Sequence, residues 1–323
     1  MKPRRSKVCD CLIRNYGLLT NTPILLILES RYYNLNGCIA LIIYIFARVL
    51  ENIINKYHPI SLDEMSGIKL MNRTDTKFVT TVDRLRLLLM MARDDYRIQE
   101  INDRRVASYY TAYFDTPDHN MYIVHQNGHV GRQKLRIRSY IDSGLNFLEV
   151  KTKNNHGRTR KKRVDMLGFD PMNPDHDIRF LRQDDQFRHY DEFLRKHLRY
   201  DPATMSERLE NNFKRITLVN KAKTERLTID TSLKFHNLET DCRADLTGLA
   251  IIELKRDGLQ PSPVLGMLRE LRIKPCGFSK YCMGSALTNS SLKRNNFKER
   301  LHLIERLMKV EMQDLVSPRP TIN

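Results

Sequence analysis

The sequence predicts an α+β fold that is mainly antiparallel β, a sheet or barrel with helices packed outside it. Three observations predict this. Strand-type segments dominate between Leu70 and Lys255, and most are joined by turns of hairpin length. Several strands alternate a cation with an apolar residue, as "RQKLRIRSY" does from Arg132 to Tyr140. The cations recur at one parity from strand to strand, with few acids among them.

Taken in order, residues from about Ile39 to Lys56 read as a leading helix, ended by Pro59-Ile60-Ser61. "KLMNRTDTKFVTT" reads as a strand with Arg73, Asp75 and Lys77 on one face. Thr81 opens a helix in which Leu85, Leu88, Leu89 and Ala92 recur at the helical period. "VASYYTAYFDT" is β-branched and aromatic, hence a strand with Tyr113 and Phe114 in the core. Asn127-Gly128 is a hairpin signal between two strands, so His125 and His129 read as its flanks rather than as a metal pair. Asp142-Ser143-Gly144 is the next turn, and "NFLEVKTK" the next strand. Phe187, Tyr190, Leu194 and Leu198 mark an amphipathic helix. Strands return in "NFKRITLVN", "ERLTIDTSLKF" and "GLAIIELKRD". Ser262-Pro263 starts a helix that runs to about Ile273, and another spans about Leu292 to Met312.

The chain has 323 residues, 41% of them apolar, which is enough for a packed core. Its net charge of +17 calls for an anionic partner: nucleic acid, a membrane surface or a small polyanion. The charge is local, for Arg132 to Arg163 holds eleven Lys and Arg against Asp142 and Glu149. Six cysteines form no paired CxxC pattern and read as free thiols of a reducing cytoplasm. "KPRRSK" followed by "PILLIL" imitates a signal peptide, but Glu29, Arg31 and the lack of a small-residue cleavage site oppose that reading. The apolar run Cys38 to Ala47 falls short of the about 20 residues a spanning helix needs. The expected organisation is an extension over 1–38, a main domain over 39–290, and a helix and tail over 291–323.

For any one strand, alternating Arg and Leu ordinarily means a solvated outer face. A solvated face would mix Thr, Ser, Gln, Glu and Lys. Here Arg136, Arg138, Lys151, Lys153, Arg215, Arg226 and Lys255 recur with only Asp75, Glu149, Asp230 and Glu253. Like charges facing each other across strands repel, so concentrating them in one sheet makes sense if a polyanion fills the space between. A barrel lumen would provide that space, with the apolar residues turned outward against helices. The sparse carboxylates could then hold Mg²⁺ or Mn²⁺ bridging phosphate oxygens. Cations and a few carboxylates on one lumen are what phosphoryl chemistry requires.

The segments "LMNRTDTKF", "YFDT", "KLRIRSY", "FLEVKTK", "GRTRKKR", "ERLTIDTSL", "IIELK" and "GFSKYCMG" together resemble the VTC domain, the polyphosphate polymerase module of the triphosphate tunnel (CYTH-like) superfamily. The stand-alone bacterial members look most similar. The resemblance runs in order from about Ile60 to Leu287. It implies an eight-stranded antiparallel tunnel whose basic lumen binds ATP and inorganic polyphosphate, with Mn²⁺ or Mg²⁺ assisting transfer of the terminal phosphate of ATP. By position it implies phosphate contacts at Lys77, Arg136, Arg138, Lys151, Arg215, Arg226 and Lys280. Lys280, in "FSKY", would lie nearest the transferred group, with Arg215 and Arg226 beside it. Glu253 would be the metal carboxylate, and Glu149 a second. Two departures stand out: Arg73-x-Asp75-x-Lys77 replaces the superfamily's Glu-x-Glu-x-Lys, and Gly277 stands where fungal polymerases carry a lysine.

Arg132 and Lys134 share the parity of Arg136 but lie nearer the turn, which places them at the tunnel mouth. Lys153, Arg158, Arg160, Lys161, Lys162 and Arg163 read as a solvated basic rim. Two other functions remain in view. A triphosphatase of the same barrel, acting on inorganic triphosphate or an RNA 5′-triphosphate, would share almost every residue named. A non-catalytic polyanion or nucleic-acid binder would also suit "GRTRKKR", but no RNA-recognition or helix-turn-helix pattern supports it. A separate membrane partner is compatible with the sequence but not indicated by it.

Overall fold

A computed structural model describes residues 48–66, 73–154, 159–166, 169–171, 188–258 and 260–313. Contacts divide the chain into Met1–Asn52 and Ile53–Asn323. The second unit carries the sheet. The expected extension over 1–38, the apolar run to Ala47, Arg158, Phe187 and the tail beyond 313 lie outside the described residues. Of the expected leading helix, 48–54 is described and is helical. No described helix is long and apolar enough to cross a membrane. The described cysteines Cys242, Cys276 and Cys282 are free thiols.

The strands are β1 (His58–Ile60), β2 (Arg73–Thr81), β3 (Tyr96–Gln99), β4 (Ala107–Asp115), β5 (Gln133–Tyr140), β6 (Leu145–Lys153), β7 (Thr159–Asp165), β8 (Ser206–Asn220), β9 (Glu225–Asn237), β10 (Arg243–Leu246) and β11 (Leu249–Asp257). The main path runs β2-β11-β9-β8-β4-β5-β6-β7, eight strands and antiparallel at every step. Among the described residues no pairing joins β2 to β7, so the sheet is not closed by hydrogen bonds as a barrel would be. The helices are α1 (Leu62–Ser66), α2 (Val82–Ala92), α3 (Asn120–Gln126), α4 (Arg188–His197), α5 (Pro263–Glu270), α6 (Lys280–Thr288) and α7 (Lys298–Gln313).

The apolar parity faces outward. Ala112, Phe114, Leu135, Ile137, Leu148 and Val150 form one core with Tyr190 and Leu194 of α4. Phe78, Ile216, Leu218, Leu227, Ile229, Ile252 and Leu254 are buried on the outer face of the other strands. Leu85, Leu88 and Leu89 of α2 are buried with them, and α2 packs on β2, β11 and α5. Each such side chain contributes about 1.5–3 kcal/mol by leaving water. The outer layer therefore stabilises the strands and leaves their other face available for charge.

That inner face has two halves. In β9, Arg226, Thr228 and Asp230 point inward, but the β8–β9 register slips between Asn212 and Lys214. Ser232 sits there in the left-handed region, at φ 52°. Such a bulge adds one unpaired residue and switches the parity of the strand beyond it. Leu233 and Phe235 therefore join Leu209, Phe213, Val79 and Ile251 in an inward apolar floor, covered by Tyr281, Met283 and Ala286 of α6 and by Ile304 and Leu307 of α7. A Cβ on Gly284 would lie 2.5 Å from the Phe235 ring and 2.6 Å from Leu209, so only glycine lets α6 come this close. Helix α7 is thus part of this core.

Several local expectations change. "MYIVHQ" is helix α3, not a strand. The buried Asp115 carboxylate accepts the N–H groups of Met121 and Tyr122, which fixes its first turn. Asn127-Gly128 ends that helix instead of closing a hairpin. Pro59-Ile60 belongs to β1, paired in parallel with β3. The helix after Ser262 stops at Glu270, and the Ser262 hydroxyl makes no capping bond. The last helix begins at Lys298, not Leu292. Tyr113 and Phe114 are both core as expected, Tyr113 on the inner face opposite Arg136 and Phe114 on the outer.

Candidate active site

Register alone brings the inward charges together. Arg136 stands opposite Glu149, Lys134 opposite Lys151, and Arg215 opposite Asp230. Glu253 lies between Lys77 and Thr228, and Lys255 between Asp75 and Arg226. All the site residues expected from the sequence except Lys280 are thus on strands of the main path, and Lys280 is the first residue of α6.

Three inward carboxylates organise the cations. Glu149 accepts Arg136 Nε at 2.7 Å on one oxygen and Lys161 Nζ at 3.1 Å on the other. Burial alone would raise its pKa, but Arg136, Arg138 and Lys161 outweigh that and bring it down to about 2. Asp230 grips Arg215 bidentately, Nε at 2.6 Å and Nη2 at 2.9 Å, and also accepts Lys280. These cations overcome its burial and hold it well below the usual carboxylate range. Glu253 accepts Lys255 on one oxygen, and Lys77 lies 3.4 Å from the other. Lys77 and Lys255 likewise overcome burial and hold Glu253 far below its ordinary value.

Arg138, Lys134 and Lys151 have no carboxylate within ion-pair distance among the described residues. Arg138 Nε is buried without a hydrogen-bond partner, and its guanidinium lies 5.8 Å from the Tyr109 ring and 6.0 Å from Phe213. Burial and the neighbouring Arg136 and Arg215 depress its pKa. Lys134 and Lys151 oppose each other directly, an arrangement that costs stability. Burial and neighbouring cations bring Lys151 down to about 7 and Lys134 to about 8. Lys280 is brought to about 7 and Lys255 to about 8, burial prevailing over their carboxylate partners.

The turn before α6 is fastened to the site by lysines. Ser279 caps the helix by accepting Cys282 N–H, and also accepts Lys134 Nζ at 2.7 Å. Lys77 Nζ donates to the Phe278 carbonyl at 3.2 Å. Lys280 thereby projects over the Phe213 ring, its ammonium 4.2 Å from the centroid.

The structure brings together Lys77, Arg136, Arg138, Lys151, Arg215, Arg226, Glu253 and Lys280 on the inner face. Three further members were missed as site residues. Lys134, expected at the mouth, is half-buried and reaches Ser279. Asp230 joins Arg215 to Lys280. Lys161, expected on a solvated rim, reaches Glu149. The parity of each carried the signal. Burial first, and then Lys134 and Arg132, lower the pKa of His125 to about 2. Among the described residues no group of three or more His, Cys, Asp or Glu could hold a metal ion by itself.

The donor set fits a divalent cation at Glu253 and not at Glu149. Glu253 is partly exposed, and one oxygen has only the 3.4 Å contact to Lys77. A hard cation held by one carboxylate can take its other ligands from phosphate oxygens and water. Glu149 is fully buried with both oxygens committed to cations, so the expectation that it binds metal gives way to a role in positioning Arg136 and Lys161.

The depressed lysines make a thermodynamic prediction. At pH 8 Lys151 and Lys280 are largely neutral in the free protein, and a bound polyanion would restore their charge. Binding of tripolyphosphate should therefore take up protons and weaken as pH rises from about 7 to 9. The unliganded fold should gain stability over the same interval, because the unfolded chain binds more protons there. Calorimetry at pH 8 in two buffers of different ionisation heat measures the uptake. Identical apparent enthalpies would contradict it.

Comparison with known proteins adds a family. A family model described as the VTC domain matches residues 72–289. No curated protein matches the chain. Among solved structures, the chain is similar to a candidate adenylate cyclase from Vibrio parahaemolyticus, at 11% identity over 67% of this chain and 99% of the other, TM-score 0.36. It is similar to a Pyrococcus horikoshii protein at 15% identity over 71% and 99%, TM-score 0.35. A Hippeastrum candidate adenylyl cyclase with a dominant triphosphatase activity matches at 15% identity over 67% and 96%, TM-score 0.38.

Proposed function

The chain belongs to the VTC-domain family, and we propose that it is a tunnel-fold phosphoryl-transfer enzyme that moves the terminal phosphate of ATP onto the end of an inorganic polyphosphate chain. The observation that carries this reading is the surplus of half-buried inward cations with no carboxylate within ion-pair distance among the described residues, Arg138, Lys134 and Lys151, beside the Arg215–Asp230–Lys280 cluster. Such a surplus is costly until an anion of several charges neutralises it.

Phosphoryl transfer needs alignment and charge neutralisation more than covalent help. Arg136 and Arg138 would grip phosphate oxygens of the donor, since a guanidinium is planar, always charged and binds two oxygens at once. Glu149 holds Arg136 in place for this, and Asp230 does the same for Arg215. An oxygen of the acceptor's terminal phosphate attacks the γ-phosphorus in line, and the bond to the β-phosphate oxygen breaks, leaving ADP. Lys280, freed from Asp230 by the incoming anion, would neutralise charge on the group in flight. Glu253 would hold Mn²⁺ or Mg²⁺, which supplies charge neutralisation to phosphate oxygens when bound.

Elongation and hydrolysis compete at the same in-line position, so stoichiometry separates them. With ATP, Mn²⁺ and a short polyphosphate primer, ADP should form without matching free phosphate. Equal ADP and phosphate would assign a triphosphatase instead. Glu253→Gln should raise the Mn²⁺ concentration needed for half-maximal rate at least tenfold. An unchanged Mn²⁺ titration would remove Glu253 as the ligand.

A further inference from the structure

The edge strand β7 carries four consecutive cations, Arg160 to Arg163, and these alternate between its two faces. The inward pair belongs to the site's wall. Lys161 reaches Glu149, and the Arg163 guanidinium lies 4.1 Å from the Phe147 ring centroid. The outward pair, Arg160 and Lys162, is exposed on the opposite face. Because β7 is paired only with β6, its outer edge has no covering strand among the described residues. Cations therefore stand on both faces of this edge strand.

On the outer face the charge continues. The C-terminal end of α4 is fastened beside β7: Gln133 Nε2 donates to the His197 carbonyl at 2.8 Å and to Thr152 Oγ1 at 2.9 Å. Gln133 Oε1 in turn accepts Arg199 N–H at 2.8 Å. Thr152 is the register partner of Arg160, and Val150 that of Lys162. This brings the exposed Lys196 and Arg199 to the same side as Arg160 and Lys162. Burial and the proximity of Lys162 and Lys196 lower the pKa of His197, in keeping with cations that share one field. No carboxylate lies within ion-pair distance of Arg160, Lys162, Lys196 or Arg199 among the described residues.

We infer that Arg160, Lys162, Lys196 and Arg199 form an outer track that holds the distal part of a long polyphosphate chain as it passes over the β7 edge. The inference rests on the proposed polymerase reading and names a second contact region for the same polymer. A flexible chain of repeated anions suits this surface better than a flat one. With Lys161 and Arg163 inward and Arg160 and Lys162 outward, the cations of β7 stand on both faces of an edge strand, an arrangement that a flexible polymer follows and a membrane plane does not.

The test compares two chain lengths on the full-length protein. Binding is measured for polyphosphates of about five and about one hundred phosphates, with wild type and the double variant Lys162→Glu/Lys196→Glu. Both positions are exposed, and a thermal melt checks folding. The wild type should bind the long chain more tightly, and the variant should lose about tenfold for the long chain at low salt with the short chain unchanged. The salt dependence of long-chain binding should also become shallower. Equal long-chain affinity in variant and wild type overturns the track. A parallel loss for the short chain overturns it too, since the residues would then act through the site. If the variant loses only binding to phosphatidylserine vesicles or single-stranded RNA, the surface serves that partner and the track is wrong. If the wild type binds neither length, the tunnel reading itself fails, and the track with it.

Discussion

Lys280→Ala lowers polyphosphate synthesis by about 10²–10³-fold while polyphosphate binding largely survives. The magnitude is that of removing one preorganised charge from a group in transit, a few kcal/mol in the transition state. The split between rate and binding follows from geometry. Arg136, Arg138, Lys134 and Lys151 remain to bind anion when Lys280 is removed, and Asp230 stays paired to Arg215 through two hydrogen bonds. The fold is therefore not left with an orphaned buried carboxylate. Single-turnover rates with titrations of a nonhydrolysable ATP analogue and polyphosphate check the result. Full activity would take Lys280 out of the mechanism, and lost binding would make it an anchor rather than a catalytic residue.

Glu149→Gln costs about 3–5 kcal/mol of folding stability, the range for breaking a buried ion pair. The side chain is fully buried, and its two oxygens hold Arg136 and Lys161 with Arg138 close by. The amide keeps the shape but removes the one negative charge among them. Tripolyphosphate should recover much of the loss, because it supplies the missing charge and binds only the folded state. Urea denaturation with and without tripolyphosphate measures both effects. In the wild type the Glu149 contribution is present above the unfolded carboxylate range and is lost as pH falls through about 2, since its folded pKa is depressed. A metal ligand would behave differently: stability would hold and the Mn²⁺ titration would shift. That outcome would return Glu149 to the metal site.

The outward apolar face and the inward charge were legible because strand periodicity is exact enough to sort Arg136 from Ile137 and Glu253 from Leu254. Other features escaped it. Leu227, Ile229, Leu233 and Phe235 fall in one odd-numbered series, with Thr231 between, and read as one face. The bulge at Ser232 sends the first two outward and the last two onto the inner floor. Nothing in the local sequence marks a serine for the left-handed region, so the half-charged, half-apolar character of the inner face stayed hidden. "MYIVHQ" failed for a different reason. Its helix is fixed by Asp115 at the end of β4, a tertiary cap that outweighs the Asn127-Gly128 turn signal. Lys280 was legible through resemblance alone. Its partner Asp230 was visible as an inward acid, but the bond between them depends on where α6 lands, which Gly284 and the floor decide.

The central claim is that the inward cations of β2, β5, β6, β8 and β9 serve to extend a phosphate polymer. Incubation of the purified chain with ATP and Mn²⁺, with the products resolved by polyphosphate gel electrophoresis, tests it most directly. A ladder that lengthens with time as ADP accumulates is the expected result. Free phosphate without any ladder, or no consumption of ATP, would contradict it.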